Sequence, residues 1–260
     1  MQRAHTRGRS RWVSTFSPLS LFSEATTGVW YDPSDFSTMF QDSAGTTPVT
    51  AVGQSVGKIL DKSGRGNHAT QATAGNQPVL QQDSSGRYYL LFNGTSSSMA
   101  TSNINFTTTD KMFVCAGLRK SVDSSYPVLA EISSSWSLNS GTFTLGGGDP
   151  NGYAFGSRGT ASSASVVIGY DAPITNVLSG LGNISANQSI LRINGTQAAS
   201  SSLNQGTGNY GNYPLYLGSR AGFSLFFNGR LYQLVVAGKN ANTSEIRNTE
   251  KFINQSTGAY

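Results

Sequence analysis

The stretch "KILDKSGRGNHATQAT" (58–73) brings together residues that could bind a phosphate or a metal ion. A Walker-type phosphate loop requires Gly-x-x-x-x-Gly-Lys-Ser/Thr between a strand and a helix, and "GRGNHAT" has neither this spacing nor a helix pattern after it. Asp61, Asn67 and His68 combine hard and soft ligand types, which does not favour one specific metal. The stretch therefore predicts neither a phosphate site nor a metal site.

A structural turn accounts for the same residues. Gly64 and Gly66 can adopt positive φ at no steric cost. The side chains of Ser63 and Asn67 can hydrogen-bond to nearby backbone groups, as these residue types do in turns. We therefore predict that Asp61 and Asn67 bond local backbone and that the turn holds no ligand.

The charge of the chain is concentrated at its N-terminus. The net charge is +5, and four arginines lie in the first twelve residues, which are Arg3, Arg7, Arg9 and Arg11. Without them, 14 of the 18 basic residues remain against 13 acidic residues, so the body lacks the basic surface of a nucleic-acid binder. No apolar run approaches the roughly 18 residues of a membrane-spanning helix, and no membrane partner is expected.

Most of the chain consists of short strand patterns separated by turn residues rich in Gly and Asn. There are 30 glycines, and Gly, Ser and Asn weaken helix interiors. The regular series of strands predicts an all-β fold, a two-sheet antiparallel sandwich. One short C-terminal helix is predicted, with Asn242 and Glu245 forming a capping box and Ile246 and Ile253 on its buried face.

We divide the chain into an extended basic N-terminal arm (1–28) and one domain (29–260). The single cysteine, Cys115, lies in the apolar strand pattern "KMFVCAGL". A buried, unreactive thiol is the expectation there, and one cysteine excludes an intramolecular disulfide.

An ordered set of motifs resembles a known family. "LDKSGRGNHATQ", "YYLLFNGTSSSMAT", "LRINGTQ", "YPLYLGSR" and "FNGRLYQLVVAGKNANTSEI" follow one another as the landmarks of a laminin-G-like, concanavalin-A-like jelly roll do. The resemblance covers roughly residues 56–254 and implies the jelly-roll form of the sandwich, closed by the short helix.

The segment "GVWYDPSDFSTMFQDSAGTTPVT" is similar to a group of tailed-bacteriophage structural proteins built on this jelly roll. That resemblance implies a virion component, assembled in the cytoplasm of the bacterial host. Its implied partners are other virion proteins, further copies of the chain and host-surface glycans.

In such a particle the arm would serve as an anchor. The arginines at 3, 7, 9 and 11 are expected to meet acidic or carbonyl groups of partner chains, and contact with packaged nucleic acid is the less favoured alternative. Apolar residues of the arm are expected to enter grooves on neighbouring subunits, and these are Trp12, Phe16, Leu19, Leu21 and Phe22.

Glycosidases also occur on the concanavalin-A-like fold, and they need two carboxylates flanking the scissile bond. The chain contains four Glu residues, which are Glu24, Glu131, Glu245 and Glu250. The first lies in the arm, the last two lie in the predicted helix, and Glu131 has no acidic partner at alternate spacing. No Gly-x-Ser-x-Gly elbow supports a serine triad. The expectation is a non-enzymatic protein, with a carbohydrate-active enzyme as a distant third interpretation.

Calcium binding occurs in many laminin-G domains and requires several converging oxygen ligands. Loop candidates are Asp83, Asp149, Asn151 and Asp171, but no Asp-rich motif groups them. We therefore expect no cofactor and name no metal ligand, with calcium left open.

Glycan binding would use aromatic rings in loops. The candidates, set among Gly, Asn and Ser, are Trp136, Tyr153, Tyr210 and Tyr213. The favoured alternative is that these rings fill the ends of the sandwich or subunit contacts. The sequence thus predicts a structural virion protein first, and a host-glycan-binding adhesin second.

Overall fold

The computed structural model describes residues 16–23 and 25–260, and in them β-strands dominate. In chain order the strands are β1 (Gly28–Tyr31), β2 (Met39–Phe40), β3 (Lys58–Ile59), β4 (Ala69–Thr70), β5 (Val79–Gln82), β6 (Tyr88–Asn93), β7 (Met99–Asn105), β8 (Lys111–Lys120), β9 (Val128–Ile132), β10 (Thr142–Gly147), β11 (Tyr153–Arg158), β12 (Ser162–Val167), β13 (Ile174–Asn183), β14 (Gln188–Ile193), β15 (Thr196–Ser201), β16 (Asn212–Leu217) and β17 (Asn228–Ala237). The α-helix is α1 (Thr243–Thr257), and short 3-10 helices span Pro18–Leu21, Phe36–Thr38 and Ala74–Asn76.

The strands form two antiparallel sheets packed face to face. The eight-stranded sheet has the order β15-β14-β13-β8-β17-β6-β5, with β1 also paired to β17. The nine-stranded sheet has the order β12-β11-β10-β9-β16-β7-β4-β3-β2. The predicted two-sheet sandwich with one C-terminal helix is therefore confirmed. None of the helices in the described residues has the length and apolar character needed to cross a bilayer.

Strand β8 shows how the sequence sets the layers. Successive side chains of a strand point to opposite faces. Met112 and Val114 enter the core between the two sheets. Phe113 and Cys115 point the other way, into a second apolar cluster that α1 covers. Burial raises the pKa of the Cys115 thiol, which keeps the thiol protonated and unreactive.

Helix α1 lies on the outer face of the eight-stranded sheet. The Asn242 side chain accepts hydrogen bonds from the backbone N–H of Ser244 and Glu245, and the Glu245 carboxylate accepts one from the Asn242 N–H (2.8 Å), so the predicted capping box is present. The helix ends at Gly258, which has φ +63°. Ile253 is fully buried and Ile246 packs beside the same cluster, as the spacing predicted.

The arm residues from Phe16 onward pack on the same layer, which corrects the expectation for this part of the arm. Leu21 and Phe22 are buried against their own domain instead of in a neighbouring subunit's groove. The reason is that the outer face of the eight-stranded sheet is itself apolar and accepts them. The Phe16 ring meets Phe252 edge-on at 6.3 Å between centroids, and Leu19 is 51% exposed.

The segment is also less extended than expected, because residues 18–21 form a 3-10 helix. The remaining residues of the predicted anchor lie outside the described part of the chain, and they are Arg3, Arg7, Arg9, Arg11 and Trp12.

The turn around Asp61 fastens β1 to the sandwich. The buried Asp61 carboxylate accepts hydrogen bonds from the N–H groups of Trp30 (2.9 Å), Ser63 (2.8 Å) and Asn67 (3.1 Å). The Asn67 side chain donates to the Gly28 carbonyl at 2.8 Å. The bonds to Asp61 from Ser63 and Asn67 are the predicted local backbone contacts. The Asn67 side chain corrects the prediction, because it bonds the backbone of Gly28, 39 residues away, instead of local backbone. Gly64 and Gly66 take the predicted positive φ, at +80° and +75°.

The packing of the arm residues can be tested with a matched pair of leucines. Leu21→Ala removes a fully buried side chain and should lower the free energy of unfolding by about 2–4 kcal/mol, because the cavity adds to the lost burial. Leu19→Ala should change the free energy of unfolding by less than about 0.5 kcal/mol. Urea denaturation followed by circular dichroism measures both, and equal losses would contradict the placement.

The role of the Asp61 carboxylate can be tested in the same assay. Asp61→Ala leaves three backbone N–H groups without their acceptor and should destabilise the domain by roughly 3 kcal/mol. Asp171→Ala is the control, because Asp171 is exposed and its carboxylate accepts from the side chain of Asn151. A smaller effect at Asp61 than at Asp171 would show that the turn does not hold β1.

Candidate functional site

Strands β9 to β12 present an outer face with unusually small side chains. The inward residues of these strands, including Phe143, Leu145 and Phe155, belong to the core. Cross-strand pairing places the outward residues in two rows, Glu131–Thr144–Gly156–Ala164 and Val128–Gly146–Ala154–Val166. Because half of these side chains end at Cα or Cβ, the sheet itself becomes the floor of a groove.

Three loops surround this floor. They are the residues just before β9, the turn after β9, and the segment after β16. They contribute Tyr126, Pro127, Trp136, Arg220 and Leu225 to the lining of a groove of about 410 Å³. That volume lies in the range of sites that take small ligands.

Glycines let the loops come close to the floor. A Cβ at Gly146 would lie 2.1 Å from the Pro127 carbonyl oxygen. A Cβ at Gly156 would lie 2.8 Å from Cζ3 of the Trp136 ring. Both distances are far below van der Waals contact, so the groove in this form requires glycine at both positions.

A buried ion pair holds two of the surrounding loops. Glu131 has 0% exposure, and its carboxylate accepts hydrogen bonds from Arg220 Nε (Oε1, 3.1 Å) and Nη2 (Oε2, 3.1 Å). The backbone N–H of Trp136 donates to the same carboxylate at 2.9 Å. Burial raises the pKa of Glu131, and the guanidinium of Arg220 acts in the opposite direction. One carboxylate thus positions both the arginine and the tryptophan.

Backbone strain is concentrated at the same place. Four described residues that are neither Gly nor Asn have positive φ, and all four border the groove or begin its loops: Tyr126 (+52°), Ser133 (+77°), Ala221 (+54°) and Leu225 (+49°). This conformation costs a non-glycine residue about 1–2 kcal/mol. Strain of this kind persists where the surrounding structure enforces it, and it clusters at functional sites.

The structure separates the four aromatic residues proposed from the sequence. Trp136 is half-buried and lines the groove. Tyr213 lies outside the lining, and its hydroxyl donates to the Ser140 carbonyl at 3.2 Å.

Tyr153 and Tyr210 require a correction. They are 1% and 0% exposed, so neither ring can stack on a sugar at the surface. The Tyr153 hydroxyl accepts from Asn176 Nδ2 (3.1 Å), the Tyr210 hydroxyl bonds Ser157 Oγ (2.6 Å), and burial raises the pKa of both phenols. Both rings belong to the core cluster, whereas the alternative interpretation placed them at the ends of the sandwich or in subunit contacts.

Of the calcium candidates, Asn151 and Asp171 bond each other, while Asp83 and Asp149 bond other residues. Asp83 accepts from two backbone N–H groups of its own turn, Asp149 accepts from Ser125, and Asp171 accepts from Asn151. In the described ranges, no three His, Cys, Asp or Glu side chains are grouped so that they could hold a metal ion.

Sequence reasoning missed Arg220 and the role of Glu131, which it considered only as a catalytic acid. The two residues are 89 positions apart, so no local pattern links them. A signal for the floor does exist in "TFTLGG" and "YAFGSR", where large core residues alternate with Thr, Gly, Ala and Ser.

The fold, though not a family, is identified by comparison with known proteins. No family model matches the sequence, and no curated protein matches it. Solved structures do match. The binding domain of botulinum neurotoxin serotype D superposes with a TM-score of 0.57 at 12% identity, over 75% of this chain and 48% of that one. The chain has a jelly-roll sandwich fold.

Two further matches cover more of the chain. An arabinofuranosidase complexed with arabinofuranosyl-α-1,2-xylobiose gives a TM-score of 0.61 at 15% identity, over 93% of this chain and 65% of that one. The botulinum neurotoxin D ligand-binding domain in complex with N-acetylneuraminic acid gives 0.58 at 11% identity, over 91% and 53%. The chain spans about half the length of the neurotoxin domains that it matches, and these identities establish the fold alone.

The glycine requirement of the groove gives a testable difference. Gly146→Ala should destabilise the domain by about 1–3 kcal/mol, because the new Cβ collides with the Pro127 backbone. Gly75→Ala is the matched control, since a Cβ at Gly75 meets nothing within 4 Å. Thermal unfolding of the two variants measures the difference, and a neutral Gly146→Ala would mean that the loop does not close on β10.

Proposed function

We propose that this chain is a carbohydrate-binding domain and that the groove on its nine-stranded sheet holds the glycan. The observation that carries the proposal is the half-buried Trp136, which lines the groove together with a floor of Gly and Ala and with Arg220. A sugar ring has an apolar C–H face that packs on an aromatic ring, and hydroxyls that need hydrogen-bond partners.

The lining supplies both kinds of contact. Trp136 and Tyr126 offer aromatic surface, and Val128 and Val166 extend the apolar floor. Polar groups are few, and they come from Thr144, Arg220 and the Tyr126 hydroxyl. A mainly apolar concave surface with a few placed polar groups is the usual composition of a small-ligand site.

The structural matches support this proposal at the level of the fold. Two of the matched structures are complexes with a saccharide, arabinofuranosyl-α-1,2-xylobiose in one and N-acetylneuraminic acid in the other. These ligands belong to those proteins. For this chain they support only the choice of carbohydrate as the ligand class to be tested first.

The proposed function is that the groove binds a glycan and does not hydrolyse it. Both oxygens of the Glu131 carboxylate are engaged by Arg220, and the residue has no exposed surface, so it can neither protonate a leaving group nor attack a sugar carbon. Neither Asp nor Glu is among the described residues that line the groove.

The site of display is a further part of the proposal. The resemblance of residues 28–50 to tailed-phage structural proteins supports a receptor-binding domain on a phage particle, with other virion proteins and further copies of the chain as partners. This part rests on the sequence resemblance. Immunogold labelling of the particle with an antibody to this chain tests it, and its failure leaves glycan binding unaffected.

The binding proposal predicts a loss at one tryptophan. Trp136→Ala should weaken the affinity for any glycan found on an array of neutral and acidic saccharides by at least tenfold, about 1.4 kcal/mol. Phe223→Ala is the control, because Phe223 is 87% exposed and does not line the groove. Isothermal titration calorimetry measures both. An array without any bound saccharide, or a Trp136→Ala variant that binds like the parent, would refute the proposal.

A further inference from the structure

The groove contains one charged residue in its described lining, and that charge is already compensated. Arg220 lies in the lining, while Nε and Nη2 of its guanidinium are both bound to the buried Glu131 carboxylate. The pair is bidentate, with both contacts at 3.1 Å. The ligand therefore faces a surface without net charge, although an arginine forms part of it.

This geometry decides what Arg220 can offer a ligand. A guanidinium binds a carboxylate best through two parallel N–H groups on one edge. That edge of Arg220 is used by Glu131, and no bond within the described chain engages Nη1. Three of the five N–H groups of Arg220, two on Nη1 and one on Nη2, remain for a ligand, but the positive charge behind them is already offset by Glu131.

A sugar carboxylate would also meet two unfavourable conditions. It would find little net attraction at Arg220, because the paired negative charge of Glu131 offsets that of the guanidinium. It would lose water against an apolar floor of Val128, Ala154, Ala164 and Val166, without a full set of new hydrogen bonds. An uncharged ring or a methyl-bearing substituent meets neither condition.

We infer, on the basis of the proposed function, that the groove recognises an electrically neutral sugar unit and that Glu131 sets this preference by cancelling the charge of Arg220. Glu131 is a positioning residue in this scheme, because it acts on the ligand through Arg220 and Trp136. Its removal should change the charge of the preferred ligand as well as the affinity.

The first measurement uses the unmodified protein. Pairs of oligosaccharides that differ only by a terminal carboxylate-bearing sugar are titrated by calorimetry at 50 and 500 mM NaCl. The neutral member should bind at least fivefold more tightly than the acidic member, and its affinity should change less than twofold with salt. Tighter binding of the acidic member, weakened by salt, overturns the inference and leaves carbohydrate binding in place.

The second measurement removes the negative charge that compensates Arg220. Glu131→Gln keeps the side-chain volume and one acceptor for the Trp136 N–H, but leaves the guanidinium charge uncompensated. The ratio of acidic to neutral affinity should rise at least tenfold and should fall again at 500 mM NaCl. A merely structural role of Glu131 would lower both affinities together and leave their ratio unchanged, which would overturn the inference.

The control is the double variant Glu131→Gln/Arg220→Gln, which removes both charges. Its ratio of acidic to neutral affinity should return to the parent value and lose its salt dependence. Circular dichroism verifies the fold of each variant, and if either fails to fold, the salt series on the unmodified protein decides. Binding of neither member by the unmodified protein contradicts the proposed function itself, and the inference fails with it.

Discussion

The fully buried carboxylate of Glu131 lies in strand β9, and the arrangement of the loops around the groove follows from the need to compensate its negative charge. An unpaired buried charge is too costly to persist, so Glu131 must be bound by cations or N–H donors. Arg220 supplies two donors from the segment after β16, and the Trp136 backbone supplies one from the turn after β9. Two loops that are distant in sequence are thereby fixed relative to the same strand. The positive φ values at Ala221 and Leu225 are then understandable as the local cost of this fixation.

One face of the nine-stranded sheet packs in the core, and the other forms the groove. Large residues such as Phe143 and Phe155 point inward and form the core, while Thr144 and Gly156 lie on the outer face beside them. The alternation of large and small residues along these strands thus places the large side chains in the core and the small ones in the groove. The outer face can differ in sequence while the core residues stay the same, which is how one sandwich fold can carry different sites.

The sequence predicted the architecture well because its signals are local. Turn residues separate the strands, Asn242 and Glu245 form the expected cap, and Asp61 accepts the expected bonds from the backbone of its own turn. The site was harder to predict because it depends on pairing between distant segments. Tyr153 lies next to glycines in the sequence, which suggested an exposed loop, yet it begins β11 with its ring in the core. Trp136 could be proposed from the sequence because of its residue type. Arg220 could not, because only the folded sheet brings it to Glu131.

The arm residues and the groove belong to opposite faces of the sandwich, and this has a mechanical consequence. A pulling force applied at Phe16 first loads the contact between the rings of Phe16 and Phe252. It also loads the hydrogen bonds that the Arg65 guanidinium donates to the carbonyls of residues 22 and 23. It then loads β1, whose four residue pairs with β17 resist shear together instead of opening one by one. Strands β9 to β12 lie in the other sheet, away from this path. If the domain is pulled through its N-terminal segment, the groove should therefore stay undistorted, because β1 and β17 share no strand with the sheet that forms the groove.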